Sequence, residues 1–416
     1  MKILYVTRLF SGLESSFSSK VWSPSGVPTI YRVIEKIDKH HTPRFLFTAK
    51  DSGSGYFSNW SERSNKEIKV SGLKHTVYVI SGVSFFPAWI GRRVSMIFRE
   101  IRQLFFITIE IIKFKPEIIY CDHANILAGS ILSRVQSRIP VVFRVMGVDG
   151  FMRQCLTPSN FMQYVYRWAY KSPFKLVLCT QDGSGVEEWL QKGLNPNTKV
   201  KILLNGADYI VLPKVVDNQL LSLTNTNPIL LYVGKLETYK GCYDFVYAVL
   251  HLLEHGKKNF HALLIVTGNE EEKLKKLVSE KNYSKFFTFI KRLPHNQIYV
   301  AHSLSEIYVS MNKLGNLSNS NLEAIRANAC MIIPSPQIET GVDVVTKKLL
   351  GDAVITTPKE QYKDLSKEIF KLLQSEEKRK KMSNLINERK QNFLWTWDER
   401  INAELALLNK ICLNRP

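Results

Sequence analysis

Short apolar runs alternate with longer stretches of helical apolar spacing along the whole chain. Runs that are apolar on both faces and set between helices fit a parallel sheet covered on both sides. In the first half the strand pattern falls at Lys2–Thr7, Arg44–Thr48, Thr76–Ile80, Glu117–Cys121, Val141–Val145, Lys175–Thr180 and Val200–Leu204. Helical spacing lies between them at Thr29–Lys39, Val94–Phe114, Ile126–Val135, Asn160–Lys171 and Gly185–Lys192. The pattern starts again with Pro228–Val233, His261–Val266, Phe286–Ile290, Glu306–Val309, Cys330–Ile333 and Asp352–Ile355. A polar stretch, Asp208–Asn227, separates the two sets and reads as an interdomain linker. The expectation is an α/β protein of two doubly wound domains facing each other.

Length and composition agree. A chain of 416 residues, 45% of them hydrophobic and 23% charged, has ample core for two domains. A net charge of +20 points to anionic partners. No zinc-finger spacing, aromatic RNA-binding box or basic low-complexity tail occurs, so nucleic acid is not expected among them. The six cysteines form no CxxC pair and several sit in apolar runs, as small buried hydrophobes of a reducing compartment do. The start, MKILYVTR, is too short for a signal peptide and well formed for a first buried strand. No apolar window is long enough to cross a membrane, and the best, Leu104–Ile112, is broken by Glu110. The expected location is cytoplasmic.

Ligands of doubly wound sheets bind at the carboxyl ends of strands. The loop after Pro228–Val233 belongs to the segment Tyr232–Asp244, YVGKLETYKGCYD, in which Gly234, Lys235, Lys240 and Gly241 precede a helical pattern over Tyr243–His255. Two ammonium groups and a helix start favour a diphosphate. An ordinary strand-to-helix turn with two solvated lysines reads the same way. A second loop, Leu314–Ala329, reads LGNLSNSNLEAIRANA. Ser320 and Glu323 have capping-box spacing, which satisfies amides at a helix start. The alternative is that those amides face a phosphate and Glu323 accepts hydrogen bonds from sugar hydroxyls.

Taken together these segments resemble the GT-B glycosyltransferases, and glycosyltransferase family 4 in particular. The residues are Tyr232-Val233-Gly234-Lys235-Leu236 with Lys240-Gly241, Leu322-Glu323-Ala324, Leu264 to Gly268, Leu203 to Asp208, and Ser25-Gly26-Val27, in the family's order. The resemblance implies two Rossmann-like domains, 1–207 binding the acceptor and 228–394 the donor, with 395–416 a helix returning to the first. It implies that Lys235, Lys240 and Glu323 carry the catalytic work, the lysines on the donor diphosphate and Glu323 on the ribose. Gly26, Gly234, Gly268, Leu293, Asn316, Ser318, Asn319, Ser320 and Asn321 become donor-side candidates. Arg8, His123, Arg144 and Asp149 become acceptor-side candidates, each with an ordinary structural alternative. The implied donor is a nucleotide-diphosphate sugar and the implied acceptor a saccharide or lipid-linked saccharide of a surface glycan, with configuration retained. No Asp-x-Asp motif occurs, so neither a metal nor another cofactor is expected.

The chain departs from the family at two places. Gly315 stands where a further glutamate is common, which moves the sugar contacts toward Asn316 or Asn319. Met146-Gly147 stands where many members have histidine-glycine. A nucleotide-sugar epimerase or a non-catalytic scaffold of the same fold are the alternatives. Phe85–Lys115 combines helical apolar spacing with Arg92, Arg93, Arg99, Arg102, Lys113 and Lys115, behind Phe85, Phe86 and Trp89. It suits a core helix with a basic face or a helix resting on an anionic membrane. His251 and His255 have the spacing of helical zinc ligands but suggest no third ligand.

Overall fold

The computed structural model describes residues 1–50, 60, 64–82, 92–136, 138–223, 228–291 and 293–413. They fall into two compact units. The first holds Met1–Thr180, Trp189–Leu203 and Glu399–Pro416; the second holds Gln181–Glu188 and Leu204–Asp398. Of the polar stretch between the two strand sets, Thr224–Asn227 lie outside the described residues, and the earlier part carries a short helix, Asn218–Leu221, capped by the Asp217 carboxylate.

The first unit is built on an eight-stranded sheet. Its strands are β1 (Lys2–Leu9), β2 (Thr42–Ala49), β3 (Lys66–Ile68), β4 (Val77–Ile80), β5 (Ile118–Asp122), β6 (Val141–Val145), β7 (Leu176–Gln181) and β8 (Val200–Leu204), in the order β3-β4-β2-β1-β5-β6-β7-β8. Strands β4 through β7 of that order pair in parallel, and only β3 is seen to run antiparallel, at the edge. Strands β5, β6 and β7 are buried along their whole length, as a sheet covered on both faces demands. Several elements lie outside the sequence expectation, the short helix Gly150–Gln154 among them. Strand β3 is three residues long, and the helix Ser11–Ser19 is serine-rich with weak apolar periodicity.

The second unit carries six parallel strands: β9 (Ile229–Lys235), β10 (His261–Thr267), β11 (Phe287–Lys291), β12 (Ser305–Val309), β13 (Met331–Pro334) and β14 (Val354–Thr357), in the order β11-β10-β9-β12-β13-β14. Alternate residues feed opposite faces. Leu230, Tyr232, Leu264 and Val309 pack with the helix Cys242–Glu254, while Leu231, Ile265, Tyr308 and Ile333 pack with the helix Asn319–Arg326. The strand order reverses direction between β9 and β12. In open α/β sheets that reversal opens a crevice at the carboxyl ends of the two strands.

Candidate active site

The loops after β9 and β12 meet at this crevice. Strand β9 stays in register with β10 to its end, Gly234 opposite Val266 and Lys235 opposite Thr267. Leu236 then turns inward, fully buried, its amide donating to the Thr267 carbonyl at 3.0 Å. Gly268 is the partner in that close approach, since a Cβ there would lie 2.4 Å from the Leu236 carbonyl oxygen. A single helical turn, Thr238–Lys240, follows and ends on Gly241 at φ 74°. That left-handed conformation favours glycine, and a Cβ would also strike the Met311 carbonyl oxygen at 2.2 Å. The Lys313 amide donates to the Tyr239 carbonyl at 2.9 Å, so the β12 loop is bonded directly to the β9 loop.

The two lysines are brought together by Tyr232. Its buried hydroxyl lies 3.2 Å from the Lys235 carbonyl oxygen and 3.3 Å from that of Lys240. One phenol hydrogen therefore ties both ends of the loop. Burial lowers the Lys240 pKa, the nearby Asp182 carboxylate raises it, and the Lys235 ammonium lowers it again. Each lysine thus stands in the other's field, and a bound anion would relieve the repulsion.

The asparagine-rich loop is a buried network. Asn316 is 0% exposed and its amide nitrogen donates to the Asn312 carbonyl and to Asp343 Oδ2, both at 2.8 Å. Its oxygen accepts from the Ser310 hydroxyl at 2.9 Å and from Asn321 Nδ2 at 3.2 Å. Asn321 Oδ1 accepts in turn from the Tyr308 hydroxyl at 2.8 Å. These two asparagines form the frame of the loop. Asn319 accepts from Asn205 Nδ2 at 2.7 Å. Leu293 belongs to the core.

The expected capping box does not form. The helix begins at Asn319 with Ser318 at the cap position, and no side chain bonds its end. Ser320 is already inside the helix, its hydroxyl 3.1 Å from that of Ser318. Glu323 pairs instead with His295 Nε2 at 2.7 Å, its own side chain 10% exposed. The carboxylate is thereby oriented by a group that sequence spacing does not connect with it.

Gly315 has no room for a side chain. A Cβ there would lie 2.6 Å from the Asp182 carbonyl oxygen and 2.7 Å from the Ser184 nitrogen. The segment after β7 fills that space. Leu317 N donates to Asp182 O at 3.0 Å and Asp343 N to Gly183 O at 2.7 Å. Asp182 was not singled out by its sequence; its position in a loop after a strand is the signal that could have found it.

In the first unit the strand order reverses between β1 and β5, and the candidates split. The Asp122 carboxylate accepts from the Arg8 amide at 3.0 Å and lies 3.9 Å from Arg8 Nε. His123 Nε2 lies 2.6 Å from the Tyr170 hydroxyl, with the two rings stacked. Burial lowers the His123 pKa, opposed by Asp149 and Asp122 and assisted by Arg8. Arg8, His123 and Asp149 therefore share one electrostatic neighbourhood. Asp149 also caps the helix Gly150–Gln154, accepting from Met152 N at 2.8 Å. Gly26 sits at φ 93° in the loop before the helix Pro28–His40. Arg144 stands apart. It is 3% exposed and bonded to Glu404 Oε2 and Thr180 Oγ1, both at 2.7 Å. That makes it a core residue and removes it from the acceptor candidates. None of these residues lines the cavity of about 520 Å³ bounded by Phe174, Leu176, Leu407 and Ile411.

His251 and His255 do not form a metal site among the described residues: their rings pack 4.2 Å apart and His251 Nδ1 meets the Ser366 hydroxyl at 3.1 Å.

The architecture and the crevice define a GT-B glycosyltransferase fold. Sucrose-phosphate synthase of Thermosynechococcus elongatus matches with a TM-score of 0.69 at 13% identity, over 99% of each chain. HepE of Anabaena, solved in complex with UDP and glucose, matches at 0.64 and 15% identity, again over 99% of each. A trehalose-phosphate synthase of Burkholderia vietnamiensis matches at 0.68 and 9%, over 98% of each. No curated protein sequence matches the chain. Residues 217–389 match the family model of the glycosyl transferases group 1, so the second unit carries that family's domain and the chain is a glycosyltransferase of GT-B type.

Proposed function

We propose that the chain transfers a sugar, with retained configuration, from a nucleotide-diphosphate sugar to a saccharide or lipid-linked saccharide acceptor in surface-glycan assembly, such as capsule, exopolysaccharide or lipopolysaccharide. The observation that carries this reading is the lysine pair braced by Tyr232 at the reversal point of the second sheet. HepE, solved with UDP and glucose, supports the choice of donor. The acceptor oxygen bonds to the anomeric carbon as the bond from that carbon to the β-phosphate oxygen breaks, on the same face of the sugar. The acceptor proton passes to a donor phosphate oxygen, so no protein base is needed. Lys235, Lys240 and the amides that open the helix Cys242–Glu254 stabilise the negative charge that builds on the departing diphosphate, the task a metal ion performs elsewhere. Glu323, held by His295, accepts from the ribose hydroxyls. Arg8, His123 and Asp149 serve the acceptor, with His123 as a neutral hydrogen-bonding group.

Work at the inner membrane surface belongs to the same proposal. No helix among the described residues is long and apolar enough to cross a membrane. The helix Arg92–Phe114 does leave Ile97, Ile101, Phe105 and Ile112 exposed by 45% or more, along one side. Arg102 turns inward to the Ser81 carbonyl and Asn65, and Arg99 meets Glu100, so the exposed Lys113 and Lys115 carry the attraction to anionic lipid. Phe85, Phe86 and Trp89 lie outside the described residues.

The experiment is product analysis. Purified chain is incubated with a panel of nucleotide sugars and lipid-linked saccharides, and the products are read by proton NMR. A new glycoside with the donor's anomeric configuration is expected. An inverted glycoside refutes retention, and an altered sugar nucleotide formed without acceptor refutes transfer in favour of epimerisation.

A further inference from the structure

Beside the lysine pair lies one carboxylate that the mechanism above does not use. Asp182 follows β7 and is folded into the second unit by its own backbone, which is bonded to Leu317 and packed against Gly315. A side chain at 315 would strike the backbone of Asp182–Ser184, so the glycine lets this loop lie where it does. Asp182 Oδ1 accepts from the Ser184 amide at 3.0 Å and from the Ser184 hydroxyl at 2.5 Å. Among the described residues its Oδ2 has no hydrogen-bond partner. Asp182 and Lys240 each alter the other's protonation, so the carboxylate stands in the field of the diphosphate clamp.

In a nucleotide-diphosphate sugar the group next to the terminal phosphate is the sugar. A carboxylate oxygen with an open lone pair beside the phosphate site is suited to accept from sugar hydroxyls and unsuited to hold the phosphate itself. We propose that Asp182 positions the donor sugar and sets its specificity, accepting hydroxyl hydrogen bonds at Oδ2 while Oδ1 stays in the Ser184 turn. Without donor the same carboxylate is the counter-charge of Lys240. The inference rests on the donor reading given above.

Asp182→Asn separates this role from a structural one. The amide oxygen keeps the Ser184 turn, while the charge and the second acceptor are lost. Binding is measured calorimetrically for matched pairs of probes: UDP with UDP-glucose, GDP with GDP-mannose, and ADP with ADP-glucose. For the pair that the wild type binds, Asp182→Asn is expected to weaken the sugar nucleotide by about 10-fold or more, the size of a lost charge-assisted hydrogen bond. The plain nucleotide is expected to bind as tightly as before or tighter, because a negative charge near its phosphates is gone. Asp182→Glu is expected to recover part of the loss, and its melting temperature together with that of Asp182→Asn reports on folding. An equal change for both members of the pair, or none for either, overturns the inference and leaves the donor reading standing. Wild-type protein that binds no probe overturns both, and that result is visible before any variant is made.

Discussion

The crevice between β1 and β5 holds a basic group against its own acid: Arg8 on Asp122, with His123 stacked on Tyr170 beside them. The crevice between β9 and β12 holds two lysines whose backbone carbonyls share the Tyr232 hydroxyl, and Lys240 has the Asp182 carboxylate as its neighbour. The two units share one architecture and use its reversal point differently. A site whose charges are already paired presents hydrogen-bond donors and acceptors, which suits a neutral polyhydroxyl acceptor. A site with repelling like charges is stabilised by an incoming anion, which suits a diphosphate. Fold alone does not distinguish them; the local charge balance does.

The largest expected effect breaks the first unit without touching the second. Glu404 is fully buried and bonded at 2.7 Å to both Arg144 and Arg400, while Arg400 Nε and Nη2 have no partner among the described residues. Glu404→Gln leaves two buried guanidinium groups with no counter-charge. A loss of roughly 3–5 kcal/mol is expected, measured by urea unfolding, with nucleotide affinity in the surviving folded protein unchanged. A comparable loss of affinity in that folded protein would tie the two sites together and refute the division of labour.

Asn316→Ala sharpens the comparison from the other side. It removes a fully buried amide from four hydrogen bonds and leaves Asp343 Oδ2 without that donor. The expected cost is about 2–3 kcal/mol of stability, the penalty for a buried polar group left unmade, together with weaker donor binding as the loop loosens. If stability is kept and only the donor affinity falls, Asn316 is a ligand contact and not the loop's frame.

Much of this was legible from the sequence. The expected strands agree with β1, β2 and β4 through β14 to within two residues at their ends, because buried parallel strands are continuous apolar runs that polar loops interrupt. Strand β3 escaped because three residues cannot display an alternation, and Ser11–Ser19 because serine favours turns and caps over helix interiors. In the site, Lys235 and Lys240 were visible because both sit on one loop at a telling separation. Asp182 and His295 were not, since each reaches its partner only through the folding of distant loops onto one another. The capping-box reading failed for a related reason. Spacing marks a helix start only to within a residue or two, and the helix here begins two residues too early for Ser320 to cap it.

A smaller effect concerns the membrane face. Ile101→Glu with Phe105→Glu places charge at positions exposed by 57% and 60%, so little change in stability is expected. Co-sedimentation with vesicles containing phosphatidylglycerol is expected to be lost, while turnover of the sugar nucleotide that the wild type uses is expected to persist in detergent. Undiminished sedimentation would rule out this face as the contact.

The last effect is a pH dependence, visible only as a difference between two pH values. Burial pushes the Asp182 carboxyl up to about 6, against the opposing pull of Ser184 and Lys240. Its folded pKa therefore lies above its unfolded value near 4. The folded state takes up a proton as pH falls through about 6, so this group stabilises the fold toward pH 4 and its charge costs stability above pH 6. Asp182→Asn is accordingly expected to be more stable than wild type at pH 7.5, by at most about 3 kcal/mol, with the gap narrowing as pH falls below about 6 and closing only toward pH 4 and below. A gap independent of pH would show that Asp182 titrates normally.

The most direct measurement titrates the wild type, Lys235→Ala, Lys240→Ala and the double variant with the nucleoside diphosphate that the wild type binds, alongside turnover of its sugar nucleotide. Lys240→Ala is expected to lower turnover on the order of 100- to 1000-fold, with diphosphate affinity reduced in each single variant and the two losses not additive, since both groups face one pyrophosphate. Diphosphate affinity and turnover that survive the double substitution would contradict the account.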